Sequence, residues 1–373
     1  MAKEYFFVFY SVLAVLLLVK AQMKGKNYWN EDGWSLPVSK GILGFAAVGI
    51  MLHHMSQTIY FAGEDTGILL FMVDIGVCFV GLFFFFSGYG LYTSLREKED
   101  YLKGFFKKRM PAIVVPFFVC NFVFIAGSAL AGYQFQDGEL IAYLTGWILM
   151  NSQMWYIVEI FFLYILFYFV FHFVKNDTVA CFVYGIGVIL MIVGSLLLGH
   201  DNTTASGGAW FHGEWWYNAT LLIWVGILFA KYEKPILAFC RKHYGLVVAT
   251  LAVLTCILYS ETMYMIQTKG YWYEWEGYTG YAEKFQTLAV QLSFIICFVI
   301  FFVLVMQKIK FGNKVMSFLG EISLELYLIH NLFILYLPIK NRLFFIIAVY
   351  AAGIVLATIL HAIDKKIIGL FRK

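Results

Sequence analysis

Charge is what this sequence has least of. Asp, Glu, Lys and Arg make up 13% of 373 residues, about half the share of a soluble domain. A chain so poor in charge cannot clothe a soluble globule, so that class is excluded. A cysteine pattern is missing too. Cys78, Cys120, Cys181, Cys240, Cys256 and Cys297 are scattered, five of them within apolar runs. That excludes a disulfide framework and a thiolate metal centre. There is no Walker motif, dinucleotide fingerprint, zinc signature, internal repeat or low-complexity tract, and nothing points to nucleic acid. What remains is apolar: 62% of the residues are hydrophobic, and the mean hydropathy is +0.78.

Such a chain lies mostly in lipid. A spanning helix needs about 20 apolar residues. Eleven apolar segments read as spans, at about 5–19, 41–61, 67–94, 111–133, 154–174, 178–199, 217–231, 245–266, 285–307, 315–337 and 343–363. All are expected to be helices, because lipid offers no partner to an unpaired backbone group. The fold class is an all-α polytopic membrane protein of about eleven transmembrane helices. The first segment has no small-residue cleavage site after Val19, so it reads as a helix and not a signal peptide.

Basic residues gather on the cytoplasmic side of a membrane. The richest connection is "REKEDYLKGFFKKR", residues 96–109. Placing it inside puts 22 of the 27 Lys and Arg residues inside by alternation. The N-terminus is then outside, the C-terminus cytoplasmic, and the protein multi-pass in a cell membrane.

Ionisable groups within spans are costly and are functional candidates by default. Four stand out: His54, Asp74, Glu159 and His330. At 1.5 Å per residue, His54 lies about 20 Å and His330 about 22 Å from the inner ends of their spans, while Asp74 and Glu159 lie about 10 and 8 Å below the outer ends of theirs. All four share one depth, in the outer third, as around a polar cavity opening outward. A structural network tying helices together would use the same residue types. A histidine beside a carboxylate suits general-base chemistry on a hydroxyl, the carboxylate orienting the ring. A metal site would need three or four convergent ligands, and no spacing supports one. His53 and His54 point about 100° apart on a helix, so one faces the cavity and the other a neighbouring helix. Lys40 lies fourteen positions before His54, close to the same face. It reads either as lining the lower end of the channel or as an anchor whose ammonium snorkels to the surface.

These motifs together resemble the acyltransferase-3 family of integral-membrane O-acyltransferases. "GILGFAAVGIMLHHMSQTIYF" is similar to the family's first core helix, which carries a basic residue ahead of a histidine. "FVGLFFFFSGYGLY" with "FFKKRMPAIVVPF", "MWYIVEIFFLY" and "LGEISLELYLIHNLF" resemble its later helices, in order. The resemblance runs from about Lys40 to Ile363. It implies a ten-helix acyltransferase-like domain over residues 40–373, after an extra N-terminal helix and cytoplasmic linker over 1–39. No fused soluble domain is expected.

The resemblance further implies transfer of an acyl group, acetyl first, from cytoplasmic acyl-CoA to an extracytoplasmic or lipid-linked saccharide hydroxyl. The essential histidine falls on His54, with His53 second. The family's basic partner falls on Leu43, a departure, and Lys40 is the nearest basic residue. The family's serine and glycine fall on Ser87 and Gly88. Arg96, Lys107, Lys108 and Arg109 would hold the phosphates of acetyl-CoA, with Lys40 and Ser87 as further donor contacts. A carboxylate, Glu159 or Asp74, would steady the histidine. No metal is expected.

Two outer loops, "WFHGEWWYN" and "YWYEWEGYTGY", are rich in aromatic rings. Rings at both interfaces are usual in membrane proteins. The functional alternative is sugar stacking by Trp155, Trp215, Trp216, Trp272 and Trp275, with Glu274 accepting hydroxyl hydrogen bonds. A transporter or flippase for a lipid-linked sugar or small anion also uses intramembrane histidines and acids, and a binding-only sensor retains the same fold. The sequence leaves open whether the chain forms a homo-oligomer.

Overall fold

The computed structural model describes residues 7–198, 215–269 and 280–371. Helices account for nearly all of it. In order these are α1 (Phe7–Leu18), α2 (Leu36–Phe61), α3 (Leu70–Glu97), α4 (Phe105–Arg109), α5 (Pro111–Leu130), α6 (Glu139–Leu144), α7 (Trp155–Phe173) and α8 (Asp177–Leu198). The second half adds α9 (Trp215–Asn218), α10 (Leu221–Lys231), α11 (Glu233–Lys242), α12 (Tyr244–Lys269), α13 (Tyr281–Met306), α14 (Lys314–Glu321), α15 (Ser323–Tyr336) and α16 (Arg342–Phe371). The fold is all-α and polytopic.

Each of the eleven apolar segments contains helix, but they do not all cross alike. Among the described residues, eight helices are long and apolar enough to span alone. The pair α14–α15, bent by 77° around Ile322, is long and apolar enough only when its two helices are taken together. The remaining two segments are short. The twelve residues of α1 cover about 18 Å of a hydrocarbon core about 30 Å thick. The segment before Lys231 is interrupted between α9 and α10 at Ala219–Thr220.

Two seams of backbone-to-backbone contact set the core. A Cβ on Gly88 of α3 would lie 1.9 Å from the Ile223 carbonyl oxygen, and one on Gly226 of α10 would lie 2.1 Å from that of Phe85. Only glycine allows helices this close. Likewise, a Cβ on Gly44 of α2 would lie 2.4 Å from the Gly320 nitrogen of α14. The bent pair is thus held tightly to the helix that carries His53 and His54.

The segment ahead of α2 is a strap across the bundle's end. Strand β1 (Gln22–Met23) pairs antiparallel with β2 (Ile309–Lys310). The Lys308 ammonium donates to the carbonyls of Gly25, Lys26 and Tyr28 at 3.0, 2.8 and 2.8 Å, and stands 3.6 Å from the centre of the Trp29 ring. Lys310 donates to Asp32 at 2.8 Å and holds its carboxyl below the usual range. A lowered carboxyl contributes at neutral pH, and its contribution is lost only as the pH falls below that range. Lys308 is the main pin, since one cation serves three carbonyls and a ring. Lys308→Met should speed tryptic cleavage at Lys24 and Lys26, read by gel against time. An unchanged rate would show that the strap is held by its strand alone.

Candidate functional site

α2 carries both histidines two turns before its end. The ring of His53 points at α3, where its Nδ1–H donates to the Met72 carbonyl at 2.7 Å. Room for that ring exists because residue 76 is glycine: a Cβ there would sit 2.2 Å from His53 Cδ2. The ring of His54 turns the other way, to α15. The 100° offset between neighbours on a helix separates the two roles.

His54 Nδ1 lies 2.7 Å from His330 Nε2. The two ring planes differ by 5°, with centroids 5.0 Å apart. A face-to-face stack would not bring two nitrogens this close at that spacing. The rings lie edge to edge, almost coplanar, joined by a linear N–H···N bond. The proton positions follow from the partners. His330 Nδ1 lies 3.1 Å from the Leu326 carbonyl, which can only accept, so His330 is protonated at Nδ1 and its Nε2 carries a lone pair. That lone pair accepts from His54 Nδ1–H. His54 Nε2 is therefore left unprotonated, as a free base. His330 is fully buried and His54 half-buried, so the exposed end of the chain of bonds is the basic one.

The carboxylates expected beside this pair are elsewhere. Glu159 of α7 is fully buried and accepts a short hydrogen bond from Thr220, just ahead of α10, while its Oε2 has no partner. Its depth differs from the expected one because α7 begins inside the bundle. Asn151 Nδ2 donates to the Leu328 carbonyl, midway along α15, at 2.8 Å, and Asn331 donates to Asn151 at 2.9 Å. Trp155 and Tyr156, the first residues of α7, pack on Phe84, fourteen residues into α3. The chain entering α7 thus descends into the bundle before the helix starts, and Glu159 lies deeper than a surface start would put it. Asp74 is half-buried and makes no hydrogen bond or ion pair among the described residues.

Directly beyond the histidine pair is a small cavity lined by Ile50, Val80, Phe83, Tyr156, Leu324 and Tyr327. Ile50 is one turn from His54 on α2, and Tyr327 one turn from His330 on α15. Farther along, Ser87 Oγ and the Tyr156 hydroxyl stand 3.5 Å apart. A track, apolar at the cavity and polar at this hydroxyl pair, therefore leads from the histidines toward the end of the bundle that bears residues 96–109.

At that end the basic residues divide. Lys40, Lys107 and Lys108 are exposed. Arg109 is half-buried, its Nε donating to the Tyr101 hydroxyl at 2.9 Å. Arg96 stands 3.4 Å from Asp177, which also pairs with Lys231 and accepts from Tyr92 at 2.7 Å. Its charge helps to join α3, α8 and α10. Of the aromatic residues expected to meet a sugar, Trp155 and Trp216 are buried among helices, at 6% and 5% exposure. The reason is the inward start of α7 and the inward placing of α9. Trp272, Trp275, Glu274 and the side chain of Trp215 lie outside the described residues.

Tyr327, Asn151 and Asn331 were not among the expected site residues. The spacing Tyr327–His330 puts both on one helix face and was a signal present in the sequence. Asn151, in a polar loop, had none. A second buried polar group is also new. His361 Nδ1 stands 2.9 Å from Glu325, and Asp364, 1% exposed, lies against the same carboxyl. Among the described residues no three His, Cys, Asp or Glu side chains are arranged to hold a metal.

The family model described as an acyltransferase domain, Acyl_transf_3, matches residues 41–363. No curated protein and no solved structure matches the chain.

Proposed function

As a member of the acyltransferase-3 family, shown by a match over most of its length, this chain is an acyltransferase, and we propose that it moves an acyl group, acetyl first, from cytoplasmic acyl-CoA to a saccharide hydroxyl on the other side of the membrane. The observation that carries this reading is the free Nε2 lone pair of His54, a half-buried residue bonded through Nδ1 to His330.

His54 Nε2 takes the proton of the acceptor hydroxyl as its oxygen attacks the thioester carbonyl. The imidazolium that forms remains bonded through Nδ1–H to His330, which in turn is held by the Leu326 carbonyl. His330 has the orienting place that a carboxylate takes in other triads. The proton then returns from Nε2 to the departing thiolate. His53, tied to Met72, keeps α2 and α3 in register. On the donor side Lys107, Lys108 and Arg109 receive the phosphates, a role that suits exposed cations at a helix end. Ser87 and Tyr156 meet the amides of the pantetheine arm, which runs along the track. The basic end is cytoplasmic in this reading, so the N-terminus is outside.

The transporter reading has no specific observation in its favour. The deciding assay places the purified protein in liposomes, with acyl-labelled acetyl-CoA on one side and oligosaccharides of several classes on the other. Label on the oligosaccharide supports the proposal. No transfer from any acyl-CoA, with sugar flux that needs no acyl-CoA, overturns it.

A further inference from the structure

The hydroxyl of Tyr327 is a donor without an acceptor. Tyr327 is 4% exposed, and its hydroxyl proton has no acceptor among the described residues. Leaving such a group unpaired costs about 1–3 kcal/mol, and a buried orphan of this kind is an unusual feature in a folded protein. The Tyr156 backbone N–H is directed at the phenolic oxygen, but an N–H only donates, so the hydroxyl proton still has nowhere to go. The ring is fixed: its centroid is 6.2 Å from that of His330 and 5.7 Å from that of Tyr156, in an edge-to-face contact. Tyr327 and Tyr156 together wall the small cavity beside the histidine pair.

The start of α7 adds to the same place. This helix of 19 residues begins inside the bundle, so the positive end of its dipole is buried beside the Tyr327 oxygen instead of facing water. An orphan O–H and a buried helix start both favour a negatively charged oxygen nearby. The cavity's other walls, Ile50, Val80, Phe83 and Leu324, are apolar.

We propose that Tyr327 is a catalytic residue that donates its hydroxyl proton, as a hydrogen bond, to the acyl carbonyl oxygen during transfer, and that the cavity beside it seats a short acyl group. This rests on the acyl-CoA reading above. The acceptor oxygen forms a bond to the carbonyl carbon, and the carbonyl π pair moves onto its oxygen, where Tyr327 stabilises the charge. His54 Nε2 takes the acceptor's proton. The pair then returns, the C–S bond breaks, and the thiolate takes the proton from His54. Ester and thiol leave, and Tyr327 has kept its proton throughout.

The test compares the full-length wild type with Tyr327→Phe in liposomes, using acetyl-CoA. Loss of one such donor lowers kcat by about 10²–10³-fold. KM for acetyl-CoA should stay within about threefold, and the acid limb of the pH profile should not move, because His54 is untouched. The melting temperature should hold, since phenylalanine keeps the ring contacts. A structural role would move it instead. Phe83→Ala should raise transfer from butyryl-CoA relative to acetyl-CoA. A wild type that transfers with a kcat unchanged in Tyr327→Phe overturns this inference alone. A wild type that transfers from no acyl-CoA overturns the reading beneath it as well.

Discussion

His54→Ala is expected to lower kcat/KM for acyl transfer by about 10²–10⁴-fold, the usual worth of a general base, with the fold intact. Ring direction gives the reason. His53 and His54 are both half-buried and each keeps an Nε2 lone pair, so what separates them is where their rings point. The Nδ1 of His53 is committed to Met72, and its ring is packed on Gly76. The Nε2 of His330 is committed to His54, and the residue is fully buried. His53→Ala should therefore cost far less than His54→Ala, and equal losses would show that the base is misassigned. A base must be unprotonated to act, so activity should fall as the pH drops through the His54 titration. That acid limb should be absent from the residual activity of His54→Ala, and a limb that persists unchanged there would count against this role. The orienting role of His330 has its own signature. In His330→Asn the amide oxygen can still accept from His54 Nδ1–H and hold the tautomer. In His330→Leu nothing can, and the loss should be several times greater.

Gly88→Ala is expected to be the most damaging conservative change to the fold. The added methyl would meet the Ile223 carbonyl oxygen at 1.9 Å and its carbonyl carbon at 2.8 Å. Both belong to backbone, which has no rotamer by which to move aside, so α10 must back away from α3. Overpacking of this kind costs about 1–3 kcal/mol. It also carries Thr220 away from Glu159, leaving a buried carboxyl with no partner. Gly226→Ala should act alike, against the Phe85 carbonyl oxygen at 2.1 Å. Gly90, one residue beyond Tyr89 on the same helix, has nothing within 4 Å of the equivalent methyl. Gly90→Ala should be neutral or mildly stabilising, because alanine favours helix by about 0.5–1 kcal/mol. Thermal denaturation in detergent compares the three. Equal melting temperatures for Gly88→Ala and Gly90→Ala would disprove the seam.

Hydrophobic runs reported where helices lie, because lipid leaves the backbone no other choice. They could not report that the tenth segment bends at Ile322 or that α9 and α10 are separate, since neither break carries a proline and the one charge beside them, Glu321, does not by itself mark a bend. The offset between His53 and His54 was legible from helix geometry alone. The pairing of His54 with His330 was legible only as a shared depth, which Glu159 and Asp74 seemed to share equally. Depth was counted from the ends of apolar runs, and that count fails wherever the chain dips into the bundle before its helix begins. Asn151 makes the dip, and its bonds to Leu328 and Asn331 span 177 and 180 residues of sequence. No local pattern encodes a contact so distant. Tyr327 was visible in the motif around His330, but its importance lies in a missing partner, which only coordinates reveal.

The inward dip before α7 also bears on how the protein should be mapped and engineered. Residues 134–153 read in the sequence as one connection between spans, open to tags and thiol reagents along its length. Access is uneven along it: Gln136, Asp137, Gly138 and Trp147 are exposed, whereas Leu149 and Asn151 are 3% and 0% exposed. An epitope inserted at 136–138 should be displayed without harm. A cysteine placed at 149 or 151 would go unlabelled, and a topology map built on such cysteines would wrongly score the segment as a membrane crossing. Ser152, exposed between buried neighbours, is the position from which a small thiol reagent would report on access to the cleft itself.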